Sequence, residues 1–398
     1  MTGNVFYNVW LIIQGITAII LVFPLFSYLV FLWTGKRKVG VPLTGLIPDY
    51  GIIVTAYGYA GNLKHVIESL LNQRYAEFVI YVVADNCGDE DIYPYHEKLV
   101  ILKPETVLGN QLKSHLLAIK NFKRPHNIIT IIDSDNLVSP NYLEALNPWF
   151  QEGFQAVQGV RRAKNTNTEY ASVDALNELY YLFYDRIVLF AIGSSAMLSG
   201  SGMAFTSPLY KNFLDKTKST GAGFDKILQK EILYNKKRIA FAEEAIVYDE
   251  KTDNADQLVK QRARWNNTWF RYVRFGFILF WQGLKNFSLN QLLYGFVLLR
   301  PPLFLLLLLS GCFFLMNLFV HSILAWVWII CFLLFILAFF IGLANTGTDK
   351  NLYKSIIHIP KFMIIQIISL TKASKANKVS VATKHSVTRG LEEIKNKP

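Results

Sequence analysis

Hydrophobic positions form long runs without charge at two places along the chain. No charged side chain occurs in Met1–Gly35 or in Pro301–Thr348. About 20 apolar residues in a helix span a hydrocarbon core about 30 Å thick. The pattern predicts one transmembrane helix in residues 1–35 and a transmembrane hairpin in residues 290–345, with its turn in Met316–Ser322. Buried helices of a large soluble core are the less favoured alternative, because they rarely lack charge over such a length.

Basic residues orient these runs. Lys36, Arg37 and Lys38 follow the first run directly, and Lys350 and Lys354 follow the second. Basic flanks prefer the cytoplasmic side of a membrane. We therefore expect a multi-pass protein of the cell membrane, in a bacterium the inner membrane, with its N-terminus outside and its C-terminus inside. A cleavable signal peptide would carry its basic residues before the apolar run.

The stretch between the runs alternates short apolar segments with segments of helical spacing. The predicted strands are Ile52–Ala56, Phe78–Ala84, Leu99–Leu102 and Ile128–Ile132. The predicted helices are Asn62–Asn72, Leu112–Ile119 and Tyr142–Phe150. Continuous Val and Ile runs that alternate with helices are typical of a parallel sheet covered on both faces. The pattern predicts an α/β domain with a mostly parallel sheet in residues 47–265.

Three segments after this domain complete the predicted organisation. Residues 266–289 are apolar and aromatic on one face, which is typical of an amphipathic helix at the membrane interface. Residues 346–371 are expected to form a second interface segment. Residues 372–398 are expected to form a basic cytoplasmic tail near anionic lipid headgroups.

Composition narrows the function. The 41 Lys and Arg residues exceed the 29 Asp and Glu residues, which gives a net charge of +12. Much of the excess lies beside the apolar runs, and no nucleic-acid recognition motif is visible, so we expect no nucleic acid partner. The three cysteines form neither a disulfide framework nor a zinc motif. The predicted spans lack ionisable residues apart from His321, which disfavours a transporter.

Aspartates stand where two predicted strands end. Asp85 ends VIYVVAD, and Asp133 and Asp135 end NIITIIDSD. Ligands of open parallel sheets bind beyond the carboxyl ends of the strands. Side chains two residues apart on an extended backbone face the same way, and two converging carboxylates favour a hard cation such as Mg²⁺ or Mn²⁺. The alternative is that these aspartates only form turns.

Two further segments suit a phosphorylated ligand. Gln261, Arg264 and Trp265 belong to QRARW, on a predicted helix. Arginine can bind a diphosphate bidentately, and tryptophan offers a flat apolar face to a sugar ring. The small residues of LSGSGMAF would let a backbone approach a ligand closely. A basic surface helix and an ordinary loop are the respective alternatives.

Together these segments resemble the membrane-embedded glycosyltransferases of family 2, the group that contains cellulose, chitin and hyaluronan synthases. The matching segments, in the order of the family, are TAYGYAGNLKHVIESLLNQ, VVADNCGDED, IIDSDN, QGVRRAKN, LSGSGMAF, RIAFAEEAIVYDE and QRARW. The resemblance implies a nucleotide-sugar-binding A-type domain. It implies that Asp85 contacts the base of the donor, and that Asp133 and Asp135 hold the nucleotide and the cation, with Asp135 the more direct metal ligand. The QRARW residues would frame the diphosphate and the acceptor sugar.

The resemblance also implies a catalytic base. In the family it is the Asp of a Glu-Asp pair ahead of a helix, and here Asp225 keeps the Asp position while Phe224 replaces the Glu. One carboxylate near the acceptor hydroxyl is sufficient for this chemistry. Glu231 is the reserve candidate. The alternative is that Asp225 only caps the predicted helix Lys226–Leu233. The Gly-Lys segment of the family is matched poorly here, which leaves Lys113 without an assigned role.

The implied activity is inverting transfer of a sugar from a nucleotide-sugar donor, expected to be a UDP-sugar, at the cytoplasmic membrane face. The preferred acceptor is a growing polysaccharide or oligosaccharide. Three spans are few for a polymer channel, so this interpretation would need a homo-oligomer or accessory subunits. One alternative adds one or few sugars to a lipid or envelope acceptor. Another, motivated by Phe224, is a catalytically weak scaffold in a glycan assembly complex.

Overall fold

The computed structural model describes residues 2–41, 43, 45–88, 92–217, 223–374 and 376. Within these residues a domain built on one sheet joins a group of long apolar helices. Most of the predicted tail, 372–398, lies outside the described residues, as do residues 89–91 of the VVADNCGDED segment.

The sheet is mixed. Its strands are β1 Tyr50–Tyr57, β2 Phe78–Asp85, β3 Leu99–Leu102, β4 Ile128–Asp133, β5 Leu137–Val138, β6 Ala156–Ala163, β7 Met203–Thr206 and β8 Ala240–Asp249. The order across the sheet is β3-β2-β1-β4-β7-β6-β8-β5. Strands β3, β2, β1 and β4 are parallel to one another, whereas β7 runs antiparallel to both β4 and β6.

The parallel half is the part that the sequence predicts. Its four strands begin or end within two residues of the predicted ones, because each is a continuous apolar run; β1, β2 and β4 are almost fully buried, whereas the edge strand β3 is buried only at Leu99. The register sets Tyr57 beside Asp85, and Thr55 beside Asp133. The carboxyl ends of β1, β2 and β4 therefore meet at one edge, as the positions of the aspartates suggest.

Helices cover the sheet and continue into the apolar part. In chain order they are α1 Thr2–Thr34, α2 Leu63–Leu71, α3 Gln111–Lys120, α4 Tyr142–Gln151, α5 Glu169–Leu182, α6 Leu189–Ala191, α7 Ser207–Lys216, α8 Phe224–Tyr234, α9 Ala255–Tyr272, α10 Arg274–Lys285, α11 Leu289–Leu299, α12 Leu303–Val320, α13 Ser322–Ala344, α14 Lys350–Lys354 and α15 Ile359–Ala373. A π-helical turn, Phe183–Val188, joins α5 to α6, and a 3₁₀ turn, Ser355–His358, joins α14 to α15. Helix α9 begins after Asn254, whose side chain accepts hydrogen bonds from the first free backbone N–H groups.

Helices α1, α12 and α13 form a three-helix bundle. At its centre the Gln14 side-chain oxygen accepts hydrogen bonds from Asn317 Nδ2 (2.6 Å) and Trp328 Nε1 (2.8 Å). The predicted turn of the hairpin is confirmed, since only His321 separates α12 from α13. The ring of His321 lies 5.4 Å from that of Tyr7, near the start of α1.

The other end of the bundle contacts the sheet domain. Just after α1, Lys36 Nζ lies 2.7 Å from Glu243 Oε2, and Arg37 pairs with Glu152. The start of α12 and the end of α13 also reach the domain, as described below. The basic residues after α1 and the sheet domain therefore lie on the same side of the bundle.

Within the part of the chain that the structure describes, four helical segments are long and apolar enough to cross a membrane, one more than the three predicted spans. The fourth, Lys350–Ala373, is the predicted interface segment. It packs along α9, where Asn266 Nδ2 donates to Ser369 Oγ (2.8 Å) and Asn267 Nδ2 donates to the Ala373 carbonyl (2.9 Å). These polar contacts tie the segment to the sheet domain along the length of α15.

The predicted boundary between residues 265 and 266 lies inside α9, so the predicted single helix 266–289 is wrong in extent. Its residues are divided among the end of α9, all of α10 and the start of α11. Helices α10 and α11 pack closely because glycines face each other across the contact. An ideal Cβ at Gly283 would lie 2.4 Å from the Leu292 nitrogen, and one at Gly295 would lie 2.4 Å from the Phe280 nitrogen.

Candidate active site

One cavity of about 1060 Å³ opens at the carboxyl ends of β1, β2 and β4 and extends to helices α12, α13 and α15. Seven residues singled out in the sequence line it: Asp85, Asp133, Asp135, Asp225, Gln261, Arg264 and Trp265. Glu231, the reserve base, lies instead in a separate small pocket with Asn235 and Arg271. Lys113 is exposed on α3. Of the two candidate bases, the structure places only Asp225 with the other site residues.

The loop before β7 holds the two neighbouring aspartates. The Asp133 backbone N–H donates to Ser201 Oγ (3.0 Å), and Asn136 Nδ2 donates to the same oxygen (2.7 Å). Gly202 follows at φ +66°, a conformation that favours glycine, and an ideal Cβ there would lie 3.0 Å from Val247 Cγ2. The small residues of LSGSGMAF therefore position the turn that carries Asp133 and Asp135.

Asp133 and Asp135 fit a cation that is shared with a ligand. Within the described chain, no group of three or more His, Cys, Asp or Glu side chains is placed to hold a metal ion. Mg²⁺ and Mn²⁺ usually take one or two carboxylates and fill their other positions with water and substrate phosphates. Two hard oxygen donors at the mouth of a cavity match this pattern.

Asp85 shapes the donor end of the cavity through the backbone. It is 2% exposed, and its carboxylate oxygens accept hydrogen bonds from the N–H groups of Leu108 (2.9 Å) and Gly109 (2.8 Å). Gly109 and the next two residues line the cavity before α3. The structure thus shows Asp85 as the residue that fixes this loop, while its contact with the base of a donor stays a prediction.

Asp225 lies in the first turn of α8. The residue that caps this helix is Gly223, at φ +93°, so the alternative of Asp225 as the helix cap is wrong. Phe224 is buried and packs edge-on against His115, with ring centroids 5.5 Å apart. Asp225 points to the cavity, with Lys226 Nζ 3.3 Å from its Oδ2. The residue that replaces the Glu of the family therefore belongs to the core, and the carboxylate that remains borders the site.

The QRARW residues face the cavity from α9, as predicted. Gln261, Arg264 and Trp265 are spaced i, i+3, i+4 and share one helix face. Trp265 is 41% exposed, and the Arg262 guanidinium lies 4.2 Å from its ring centroid. Burial lowers the pKa of Arg264, because the charged form loses contact with water. An anionic diphosphate beside Arg264 would offset that cost.

A largely buried ion cluster lies at another wall, and no sequence pattern predicts a role for its members. Arg161 pairs with Asp249, and Lys251 Nζ lies 3.1 Å from Asp249 Oδ2 and 3.8 Å from Glu178 Oε2. Arg186 Nη1 lies 3.0 Å from Glu178 Oε1. Burial raises the pKa of Glu178, but Lys251, Arg161 and Arg186 outweigh it and hold the pKa below its usual value. Strands β6 and β8 run side by side, and their ends bring Arg161 and Asp249 together. These two residues belong to QGVRRAKN and RIAFAEEAIVYDE, but no spacing rule pairs residues so far apart in the sequence.

A second carboxylate–arginine pair lies where the cavity turns towards the long helices. Asp185, in the π-helical turn, accepts a hydrogen bond from Arg300 Nη2 (2.5 Å). The π-helical turn widens the helix, a feature often found at functional sites, and no sequence pattern used above predicts it. Both side chains are buried at the cavity edge.

The fold is similar to that of known proteins. Among solved structures, the chain resembles a mannosyltransferase, PcManGT from Pyrobaculum calidifontis in complex with GDP-Man and Mn²⁺, at a TM-score of 0.58 and 15% identity, covering 91% of this chain and 99% of the other. It matches TarS of S. aureus, residues 1–349, at a TM-score of 0.37 and 18% identity, over 54% of this chain and 64% of the other. No curated protein sequence matches significantly.

A sequence family gives the assignment. The family described as Glycosyltransferase like family 2 matches residues 48–268, which is more than half of the chain. The matched segment runs from β1 through most of α9 and contains the seven site residues. The chain therefore belongs to the glycosyltransferase-like family 2, and it is a glycosyltransferase with an A-type fold.

Proposed function

We propose that this enzyme transfers a sugar from a nucleoside-diphosphate donor to an acceptor hydroxyl with inversion at the anomeric carbon. The observation that supports this most strongly is the shared cavity, which contains Asp133, Asp135, Arg264 and Asp225. The first three provide what a leaving diphosphate needs, and the fourth provides a base for the acceptor. A member of the family that only served as a scaffold would not need this arrangement.

The donor binds at the carboxyl end of the parallel strands. Asp133 and Asp135 would hold Mg²⁺ or Mn²⁺ beside the diphosphate, and the bound cation would stabilise the negative charge of the leaving group. Arg264 donates hydrogen bonds to the same phosphates, and the loop held by Asp85 borders the nucleoside. The GDP-Man and Mn²⁺ of the similar mannosyltransferase support this class of donor. The sequence-based expectation of a UDP-sugar remains part of the proposal.

The acceptor approaches from the side of α8. Its hydroxyl oxygen forms a bond to the anomeric carbon while the bond from that carbon to the phosphate oxygen breaks. Asp225 takes the hydroxyl proton, and the bonding electron pair leaves with the nucleoside diphosphate. A single displacement of this kind inverts the configuration. Lys226 Nζ lies 3.3 Å from Asp225 Oδ2, on the same first turn of α8.

The reaction takes place at the cytoplasmic face of the cell membrane. The contacts of Lys36 and Arg37 place the basic flank of α1 on the side of the catalytic domain. Because basic flanks prefer the cytoplasm, the domain lies there and the N-terminus lies outside. We assign α15 to the interface rather than to a span, because it packs along α9, whose charged residues Asp256, Lys260 and Arg264 would be costly to bury in the hydrocarbon core.

The acceptor class is the part of the proposal that changes most from sequence to structure. A relationship to the cellulose, chitin and hyaluronan synthases stays a prediction. So does a polymer acceptor, together with the oligomer or accessory subunits that a polymer channel would need. The apolar residues that line the membrane side of the cavity favour the other acceptor class, a lipid.

The test is release of nucleoside diphosphate by the full-length protein in detergent with Mn²⁺ and a panel of UDP- and GDP-sugars. Asp225→Asn should lower kcat by about 10²–10⁴-fold, the usual contribution of a general base. Glu231→Gln, a carboxylate-to-amide change on the same helix but outside the cavity, should leave the rate nearly unchanged. Equal effects of the two substitutions, or no turnover of any donor by the unaltered protein, would contradict the proposal.

A further inference from the structure

The cavity does not end at the ion cluster but continues between the long apolar helices. From residue 297 onward, its described lining residues include only two with polar side chains, Arg300 and Gln366. The rest are apolar, and six mark the course of this passage: Phe304, Leu307, Phe335, Phe339, Ile359 and Phe362. They come from α12, α13 and α15. We call this part of the cavity the apolar passage.

The apolar passage is poorly suited to a sugar chain. Each sugar residue carries several hydroxyl groups, and every hydroxyl buried without a hydrogen bond costs free energy. Aromatic faces can stack on sugars, but the two polar side chains, Arg300 and Gln366, cannot form hydrogen bonds with all the hydroxyl groups of several consecutive sugars. A hydrocarbon chain, by contrast, gains free energy from burial against such walls.

Two buried polar atoms stand where the polar part of the cavity meets the apolar passage. Gln229 lies one turn after Asp225 on α8, so both face the same way. Its Oε1 accepts a hydrogen bond from the Tyr294 hydroxyl (2.6 Å), and within the described residues its Nε2 has no partner. Asp185 donates nothing and accepts from Arg300 with Oδ2, while its Oδ1 has no partner in the described chain.

These atoms are placed to hold one ligand. Both residues line the cavity, Gln229 is fully buried and Asp185 is 5% exposed. Tyr294 contacts Gln229, Gln229 lies one turn from Asp225, and Asp185 lines the same cavity as both. Buried polar atoms are nearly always paired, so an unpaired donor and an unpaired acceptor beside the proposed base indicate a ligand that brings hydroxyl groups.

We propose that the acceptor is a membrane lipid with an uncharged, hydroxyl-bearing headgroup, such as a diacylglycerol or a glycosylated diacylglycerol. Its hydrocarbon chain occupies the apolar passage. Gln229 Nε2 donates to a headgroup oxygen, and the free hydroxyl of the acceptor reaches Asp225. In a glycosylated diacylglycerol a further hydroxyl donates to Asp185 Oδ1. This identification of the acceptor rests on the sugar transfer proposed above.

Charge argues against a phosphate headgroup at this point. Arg300 pairs with Asp185, and Lys226 lies 3.3 Å from Asp225, so both cations already have a carboxylate partner. A phosphate would have to compete with these carboxylates, whereas an uncharged headgroup would not. A phosphate oxygen would also have no proton to give up, and Asp225 would have no function as a base.

The proposal can be tested with the full-length protein in nanodiscs and radiolabelled UDP- and GDP-sugars. Three acceptors are compared: dioleoylglycerol, undecaprenyl phosphate and a soluble oligosaccharide mixture of cellulose and chitin fragments. We expect label in the neutral lipid fraction with dioleoylglycerol. Label only in the phosphate lipid, or only in the soluble glycan, would overturn the lipid assignment. Release of nucleoside diphosphate without labelled lipid would also overturn it while leaving the proposed function standing. No release with any donor would overturn both.

Two matched substitutions test the apolar passage without relying on turnover. Leu307→Trp would fill the passage, whereas Leu308→Trp places the same ring at a neighbouring position that is 42% exposed on the surface of α12. Native mass spectrometry measures retention of dioleoylglycerol by each purified variant. We expect at least about a tenfold loss of bound lipid for Leu307→Trp only, equivalent to one tenfold step in affinity. Equal retention by both variants would contradict the proposed path of the hydrocarbon chain.

A third substitution tests the headgroup contact. Gln229→Glu keeps an oxygen for the Tyr294 hydroxyl but removes the side-chain N–H donor. We expect the KM for dioleoylglycerol to rise about tenfold, as for one lost hydrogen bond, with the affinity for the nucleotide unchanged. A change in nucleotide affinity with no change in the acceptor KM would mean that Gln229 does not hold the headgroup.

Discussion

The two ends of the cavity are built from opposite chemistry. At the sheet, its walls carry carboxylates, arginines and a lysine, many of them paired in the cluster of Glu178, Asp249 and Lys251. Towards the long helices the apolar passage offers aromatic and aliphatic side chains. Charged groups inside a protein require ion-pair or hydrogen-bond partners, whereas apolar walls favour a ligand that is weakly hydrated. The difference fits the proposal that one end binds a charged, water-soluble donor and the other an acceptor from the membrane.

The largest effect is expected at the charged end. Asp135→Asn removes charge from the proposed cation site and should lower kcat by at least about 10²-fold, in the range that single electrostatic groups contribute to a transition state. Titration of the variant with Mn²⁺ in the presence of UDP or GDP should show weaker nucleotide binding than for the unaltered protein. Normal activity of this variant would show that the proposed cation site does not take part in the reaction, and it would contradict the contrast between the two ends of the cavity.

The ion cluster provides the next largest effect, on stability. Glu178→Gln leaves Lys251 and Arg186 short of a carboxylate in a largely buried site, which should cost about 3–5 kcal/mol. Glu77→Gln, which breaks the exposed contact with Arg124, should cost less than about 1 kcal/mol. Urea denaturation in detergent measures both. Similar losses for the two variants would show that the cluster is no more than a set of surface ion pairs.

A buried histidine behind the charged end should give a pH dependence. Burial lowers the pKa of His115 to about 3, while the unfolded chain has a value near 6.5. Between these values the unfolded state binds a proton that the folded state does not, so stability falls as the pH drops below about 6.5. The loss is about 1.4 kcal/mol per pH unit, or about 2 kcal/mol at pH 5.

His115→Gln should remove this part of the pH dependence. Tyr210→Phe is the matched control, because it deletes the 2.7 Å hydrogen bond to His115 but keeps the titrating ring. Denaturation at pH 7 and pH 5 should therefore show the acid loss in the control and a smaller loss in His115→Gln. Equal losses in both variants would mean that other groups carry the acid sensitivity.

The smallest effect is expected at the close contact of α10 and α11, which adjoins α8. Gly283→Ala would force its Cβ against the Leu292 backbone, and such overpacking costs about 1–3 kcal/mol. The better helix propensity of alanine returns up to about 1 kcal/mol, so the net loss should be about 1 kcal/mol. Gly311→Ala, where a Cβ meets nothing within 4 Å, should not destabilise the protein. A stabilised Gly283→Ala variant would contradict the close packing.

Much of this site could be predicted because it lies at the ends of continuous apolar strands. The runs that end at Asp85 and Asp133 define both the parallel half of the sheet and its ligand-binding edge. Helical phase also separates the candidate bases. Asp225 and Glu231 are six residues apart, about 240° around a helix, so they cannot share a face. Periodicity thus predicts that only one of them can face the cavity; that one is Asp225, whose role as the base stays a proposal.

Other parts could not be predicted from local patterns. Strand β7 has four residues and β5 has two, and β8 carries Glu243 and Glu244, so none of them shows the apolar run of a buried strand. The pairing of Asp185 with Arg300 joins residues 115 positions apart through a π-helical turn. Such contacts depend on tertiary packing, which no periodicity in one sequence encodes.

The most direct test of the central claim is the stereochemistry of the transfer. With an α-linked nucleotide sugar that turns over, proton NMR of the first product measures the configuration at the newly bonded anomeric carbon. Single displacement with Asp225 as the base predicts a β-linked product, in which that configuration is inverted. An α-linked first product would contradict the mechanism and the role of Asp225.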